Sequence, residues 1–218
     1  IPALNDLEPL MPLIALAAGW IGLLRGMELD FRQLASSPSG SGRVAMLHGI
    51  FPAIAVGAAA WAAGHFGLLH PYDTEGETFA ATIGFLACAA AAGATGPLDL
   101  LSSRYQSTGK TSALLRRSAR LSDLLAVFIF GMLFCVFHQG DGSQRLTLRP
   151  LEWAVVSILL GALLGLLFRP FLGGDENENN RFLALVGIIT FASGAAYILQ
   201  LSPLFVNLML GITLVNTA

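Results

Sequence analysis

Along the chain, long apolar stretches alternate with short polar ones. The apolar runs occupy 9–34, 44–69, 78–101, 112–138, 151–172 and 181–200, with a shorter seventh at 203–216. A bilayer core of about 30 Å is crossed by roughly 20 helical residues, so the first six are long enough to span. The segments between them, "SSPSGSG" at 36–42, "HPYDTEGE" at 70–77, "HQGDGSQ" at 138–144 and "GGDENENN" at 173–180, are rich in turn formers. Strands of a membrane barrel would need segments of about ten residues alternating apolar and polar positions, and stretches such as "ACAAAAGA" do not alternate. The pattern predicts an all-α, polytopic membrane protein with about six to seven helices over residues 1–218.

Composition strengthens this expectation. Of 218 residues, 55% are hydrophobic and only 12% charged, with a mean hydropathy of +0.68, whereas soluble domains carry about 25% charged residues. The net charge of −2 and the lack of an arginine-rich stripe with interleaved aromatics argue against nucleic acid as a partner. Cys88 and Cys135 both fall inside apolar runs, where cysteine behaves as a small buried hydrophobe. If Ile1 starts outside, Arg32, Arg43, Arg104, Lys110, Arg116, Arg117, Arg120, Arg169 and Arg181 all fall on the inner side, against Arg145 and Arg149 outside. By the positive-inside rule the run carrying Asp123 therefore travels outward from a cationic inner end. The opening "IPALNDLEPL", without an initiator methionine, and the closing "LVNTA" suggest a portion of a larger transporter-like protein. Membrane lipid is the surrounding partner, and the short loops suit a bacterial inner membrane, although an organelle membrane fits as well.

Ionisable residues at membrane depth cost at least about 2.5–3.5 kcal/mol on insertion scales, so each calls for a partner, water or a function. In "LLRGMELDFRQL" (23–34), Arg25, Glu28 and Arg32 are spaced to share one helix face and pair, with Asp30 pointing elsewhere. The simpler reading is an interfacial cluster whose long side chains reach the headgroups. In "AAGATGPLDLLSSR" (91–104), Pro97 removes a backbone donor, and Gly93 and Gly96 weaken the helix around Thr95, so a break is expected there. Broken helices persist in lipid only against protein or a wet cavity, where transporters hold ions; the alternatives are a plain proline kink, or a helix that ends near Thr95 and turns. Asp99 follows closely and could cap the next helical piece or face the same cavity.

Asp123, preceded by Ser122, lies about eleven residues into the fourth run if that helix starts near Ser112, or about 16 Å along it. Such an acid can exchange a proton for a hard cation, since Na⁺ or K⁺ seeks the same oxygens; an ion pair with Arg120, three residues earlier, is the structural alternative. "QSTGKTS" (106–112) is not a phosphate loop, because position 104 is Arg104 where that motif needs glycine, and no strand precedes it. Apart from His48 the histidines sit in or beside loops, none with metal-ligand spacing, and no nucleophile-base arrangement suggests an enzyme.

Taken in order, these motifs resemble the monovalent cation:proton antiporter superfamily. "GMELDFRQL" is similar to the family's Gly-Leu-Glu-Leu-Asp helix ending, "ATGP" to its Thr-Ser-Pro break, "SDLLAV" to its Asn-Asp or Asp-Asp pair, and "LQLSPLFVNLMLGITLVN" (199–216) to its Gly-Leu-Ser-Pro helix ending in Ala-Asn. The resemblance implies an inverted-repeat bundle with a discontinuous helix, of which this chain holds part, and a core domain moving against a dimerisation domain. It implies exchange of Na⁺ or K⁺ for H⁺ by alternating access, a homodimer and no cofactor. Asp123 would be the ion- and proton-binding carboxylate, Ser122 the variable first position of its pair, and Thr95, Gly96 and Pro97 the unwound crossing. Arg120, Arg25 and Glu28 would be supporting charges. Ser122 replaces the usual Asn or Asp, and Asp99 stands where the family has an aliphatic residue, making it a candidate second acid. A non-transporting sensor or scaffold on a degenerate antiporter body is the competing expectation.

Overall fold

The computed structural model describes residues 9–32, 41–66, 76–92, 95–106, 109–137, 149–173 and 178–217. Apart from short turns these residues are helical: α1 (Met11–Met27), α2 (Ser41–His65), α3 (Glu77–Ala91), α4 (Thr95–Arg104), α5 (Lys110–Val136), α6 (Pro150–Gly173), α7 (Glu178–Ile198) and α8 (Pro203–Thr217). Four helices are long and apolar enough to cross a membrane, α2, α5, α6 and α7, while α1, α3 and α8 are shorter apolar helices. The fold is thus that of an all-helical membrane protein. The loops expected between the runs fall largely outside the described residues.

Two helix boundaries differ from the hydropathy pattern. The first run does not continue to 34: α1 ends at Met27, and Glu28 caps it through a backbone bond to the Gly26 carbonyl. The Asp30 carboxylate then accepts from the Arg32 amide at 2.8 Å, which starts a separate turn. Hydropathy cannot register this stop, because Leu29 and Phe31 keep the average high. As a consequence Arg25 and Glu28 pair at 3.1 Å, but Arg32 lies beyond the helix end and does not extend their face. The third run divides into α3 and α4, as considered below.

The chain forms two compact units. One comprises residues 1–34 and 134–218, the other residues 35–133. In the first unit α8 is the central element, packed against α1, α6 and α7. Phe205, Val206, Asn207 and Leu210 are fully buried. Its start is well defined. Gln200 adopts a left-handed φ of 56° and closes α7 in a Schellman arrangement, in which the Leu201 amide bonds the Ala196 carbonyl at 2.8 Å and the Gln200 amide bonds that of Tyr197 at 3.1 Å. Ser202 follows as N-cap, accepting from the Phe205 amide, with Pro203 at the first helical position, where its missing donor has no consequence.

Hydrophobicity gives helices in lipid little reason to associate, so close packing depends on small residues that let backbones meet. On α1, a side chain at Gly22 would strike the Leu204 carbonyl and one at Gly26 the Leu208 carbonyl. In return Gly211 of α8 faces the Leu23 carbonyl of α1, where an added Cβ would stand 2.5 Å away. On the α6 side, Gly161 and Gly165 lie against Val206 and Thr213 of α8. Gly22-x-x-x-Gly26 and Gly161-x-x-x-Gly165 therefore face α8 from two neighbours.

Alanine should have opposite effects at two of these unit-one glycines. Helix propensity favours alanine over glycine by about 0.8–1 kcal/mol, whereas overpacking costs about 1–3 kcal/mol. Gly22→Ala meets a rigid backbone carbonyl and should lower the thermal midpoint in detergent. Gly187→Ala, with nothing within 4 Å of the added carbon, should leave the midpoint unchanged or raise it. Equal midpoints for the two variants would contradict the packing described.

Candidate functional site

In the second unit, α3 stops at Ala91, and Ala92 turns to extended backbone with φ −62° and ψ 127°. Gly93 and Ala94 lie outside the described residues, and helix resumes at Thr95. A break is present, three residues before the position expected. Thr95, Gly96 and Pro97 are the first turn of α4, not an unwound crossing. The reason is local: first-turn amides have no intrahelical acceptor, so a proline third in the helix loses nothing. The side chains of Thr95, Pro97 and Asp99, with Gly96, are outside the described part of the structure.

A helix that ends in a membrane leaves its last carbonyls without partners. One of them, on Ala91, accepts a 2.8 Å hydrogen bond from the Ser122 hydroxyl of α5. Ser122 is 1% exposed. The hydroxyl is closely backed by α2, since a Cβ on Gly49 would come within 2.8 Å of Ser122 Oγ. Three helices thus meet where α3 is interrupted.

Asp123 is the next residue and is 3% exposed. It stands thirteen residues from either end of α5 (Lys110–Val136). At 1.5 Å per residue α5 is about 40 Å long. Wherever a hydrocarbon core of about 30 Å is set along that length, Asp123 remains about 10 Å or more inside both faces. Asp123 belongs to a buried face of α5 that also holds Ser118, Ala119, Ser122 and Ala126, whereas Arg120, one turn earlier, is exposed. Ser118, also buried, turns its hydroxyl back to the Leu115 carbonyl at 2.9 Å.

On the face of α5 marked by Ser122, Leu125 and Ile129, a groove of about 370 Å³ opens against α2 and α3, with Ala45, Gly49 and Cys88 also in its wall. The Ser122 hydroxyl sits at this small-residue, largely apolar surface. Among the described residues no group of three or more His, Cys, Asp or Glu side chains comes together; His48 is exposed on α2. The structure therefore brings Ser122 to the interruption of α3, with Asp123 the next residue along α5, while Arg25 and Glu28 pair with each other at the end of α1, in the first unit.

Other polar residues carry structural roles that sequence reasoning missed. Asn216 donates to the Leu29 carbonyl at 2.8 Å and accepts from the Phe31 amide at 2.9 Å, tying the chain beyond α1 to the end of α8. Asn207, fully buried, donates to Ser193 Oγ at 3.1 Å and to the Pro203 carbonyl at 2.8 Å. Its Oδ1 is the buried side-chain oxygen without a hydrogen-bond partner among the described residues. Both asparagines interrupt an apolar run just as Asp123 does, and that was the available signal.

Comparison with protein-family models, with curated proteins and with solved structures finds no match to this chain.

Removing the hydroxyl in Ser122→Ala leaves the half-buried Ala91 carbonyl without its donor, an expected loss of about 1–3 kcal/mol. Gly49→Ala should produce a similar defect by displacing the same hydroxyl. In a double-mutant cycle the second substitution should cost less once the first is present. Strictly additive midpoint shifts would show that the two positions act separately.

Proposed function

We propose that the protein is a secondary active transporter that exchanges a monovalent cation, Na⁺ or K⁺, for H⁺ by alternating access, with Asp123 as the carboxylate both cargoes use. The observation that supports this best is a buried acid at the midpoint of a membrane-length helix, beside the serine that caps an interrupted neighbour. Acids inside membranes mark ion and proton pathways, and transporters place free helix ends beside their ions. In this reading the chain is part of an inverted-repeat antiporter bundle that works as a dimer, as its motif resemblance to the cation:proton antiporters implies.

The chemistry follows from the two residues. An ionised carboxylate offers two hard oxygens to a desolvated cation, and protonation withdraws that charge. Ser122 gives its proton to the Ala91 carbonyl, so the lone pairs of Oγ remain able to accept. A neutral residue beside a single acid favours one proton exchanged for one cation, because the two cannot occupy Asp123 together.

Reconstituted in liposomes with an imposed pH gradient, the full-length protein should dissipate that gradient on addition of Na⁺ or K⁺. Asp123→Asn should abolish the response while preserving the helical circular dichroism and elution profile of the parent. A folded parent that gives no flux with either ion would favour a sensor or scaffold instead.

Competition for one carboxylate also fixes the sign of the pH dependence. As pH falls, protons displace the cation and its apparent affinity should drop. A cation affinity that stays constant from mildly acid to mildly alkaline conditions would remove Asp123 from the binding site.

A further inference from the structure

The inner half of α5 carries a second feature. Arg116, Arg117 and Arg120 fall on one helix face and, with Ala113 beneath them, surround a concavity of about 210 Å³. Arg117 and Arg120 are exposed and Arg116 half-buried. The spacing explains the shape: Ala113 is three and four residues from Arg116 and Arg117, and its small side chain leaves a hollow between them. Among the described residues no acidic side chain lines the hollow.

Its level in the membrane is set by length. α5 exceeds the hydrocarbon thickness by about 10 Å, and from Leu121 to Val136 its one charge is Asp123. Counting about twenty residues back from Val136 puts the hydrocarbon boundary near Arg117. Arg116 and Arg117 then lie at headgroup level, and Arg120 one turn deeper, within reach of the same level by snorkelling. The bias in loop charge assigns this end of α5 to the inner leaflet, where anionic lipids attract basic clusters.

We infer that Arg116, Arg117 and Arg120 form a binding site for the phosphate of an anionic glycerophospholipid. A guanidinium fork matches phosphate oxygens in two-pronged geometry, which a lysine cannot reproduce. The choice of lipid over free phosphate rests on the surface outward of the hollow. Arg117, Leu121 and Phe128 follow one stripe of α5 at spacings of four and seven, and Phe128 is 39% exposed. That stripe gives an acyl chain an apolar path directly from the headgroup position. The site shares Arg120 with the transport reading, in which it is a supporting charge, whereas Arg116 and Arg117 belong to the hollow alone and carry the test.

The test is lipid binding to the full-length protein in detergent, read by native mass spectrometry and by thermal midpoint. Phosphatidylglycerol should be retained and raise the midpoint, whereas phosphatidylcholine should do neither. Arg116→Gln with Arg117→Gln should weaken phosphatidylglycerol binding at least tenfold, with helical content and elution unchanged. Arg116→Lys with Arg117→Lys should recover only part of it, and Arg43→Gln, a basic residue on α2 outside the hollow, should have no effect. Equal retention of the two lipids, or an unchanged affinity in the glutamine variant, would overturn the proposal. Competition by soluble glycerol phosphate at concentrations matching the lipid would also overturn it, by showing a site for the free anion. If the double variant fails to fold, Arg117→Gln alone carries the same test.

Discussion

Inside hydrocarbon a backbone carbonyl that loses its helical donor has no water to turn to, and leaving it bare costs several kcal/mol. Several of the irregular points in this fold are answered by a named group. Where α3 stops, the Ser122 hydroxyl reaches the Ala91 carbonyl. Where α1 stops, Asn216 takes the Leu29 carbonyl and the Phe31 amide together. Where α7 turns into α8, backbone amides of Gln200 and Leu201 close the last turn, at the expense of a left-handed conformation on a residue that is not glycine. In the first two cases the donor is a side chain from another helix, so stopping one helix fixes the position of a second.

This constraint makes the candidate site rigid before any ion is considered. Ser122 cannot change rotamer without exposing Ala91, and Gly49 leaves the hydroxyl little room on its other side. The same contacts fix the stretch of α5 backbone that carries Asp123. The groove beside it is of a different kind, apolar and lined by alanine and glycine, suited to close packing and not to holding charge.

Much of the helical content was legible in the sequence because membrane-length hydropathy is a local property. The runs at 151–172 and 181–200 became α6 and α7 with ends displaced by at most a few residues. The break near Pro97 was legible too, but not its place, since proline marks where a helix can begin as well as where one fails. The length of the first run misled for a related reason: a window average cannot see Asp30 capping the turn that follows. The partners of Ser122 and Asn216 were not legible. They lie 31 and 187 residues away along the chain, and no periodicity encodes a contact at such separation. The place of Asp123 along its helix, by contrast, could be counted from the sequence: eleven residues from a start at Ser112, against thirteen from the observed start at Lys110.

The two units also differ in how their parts are ordered along the polypeptide. The second, residues 35–133, is contiguous, whereas the first joins 1–34 to 134–218. α1 precedes α8 by the whole of the second unit, so during synthesis its glycine face is made well before the helix that covers it. The face of α8 that carries Leu208, Leu210 and Gly211 is met by backbone brought close at the glycines of α1 and α6. The glycines of α1 thus have a temporal role as well as a packing one: the slot they leave is made a whole unit earlier along the chain than the helix that fills it.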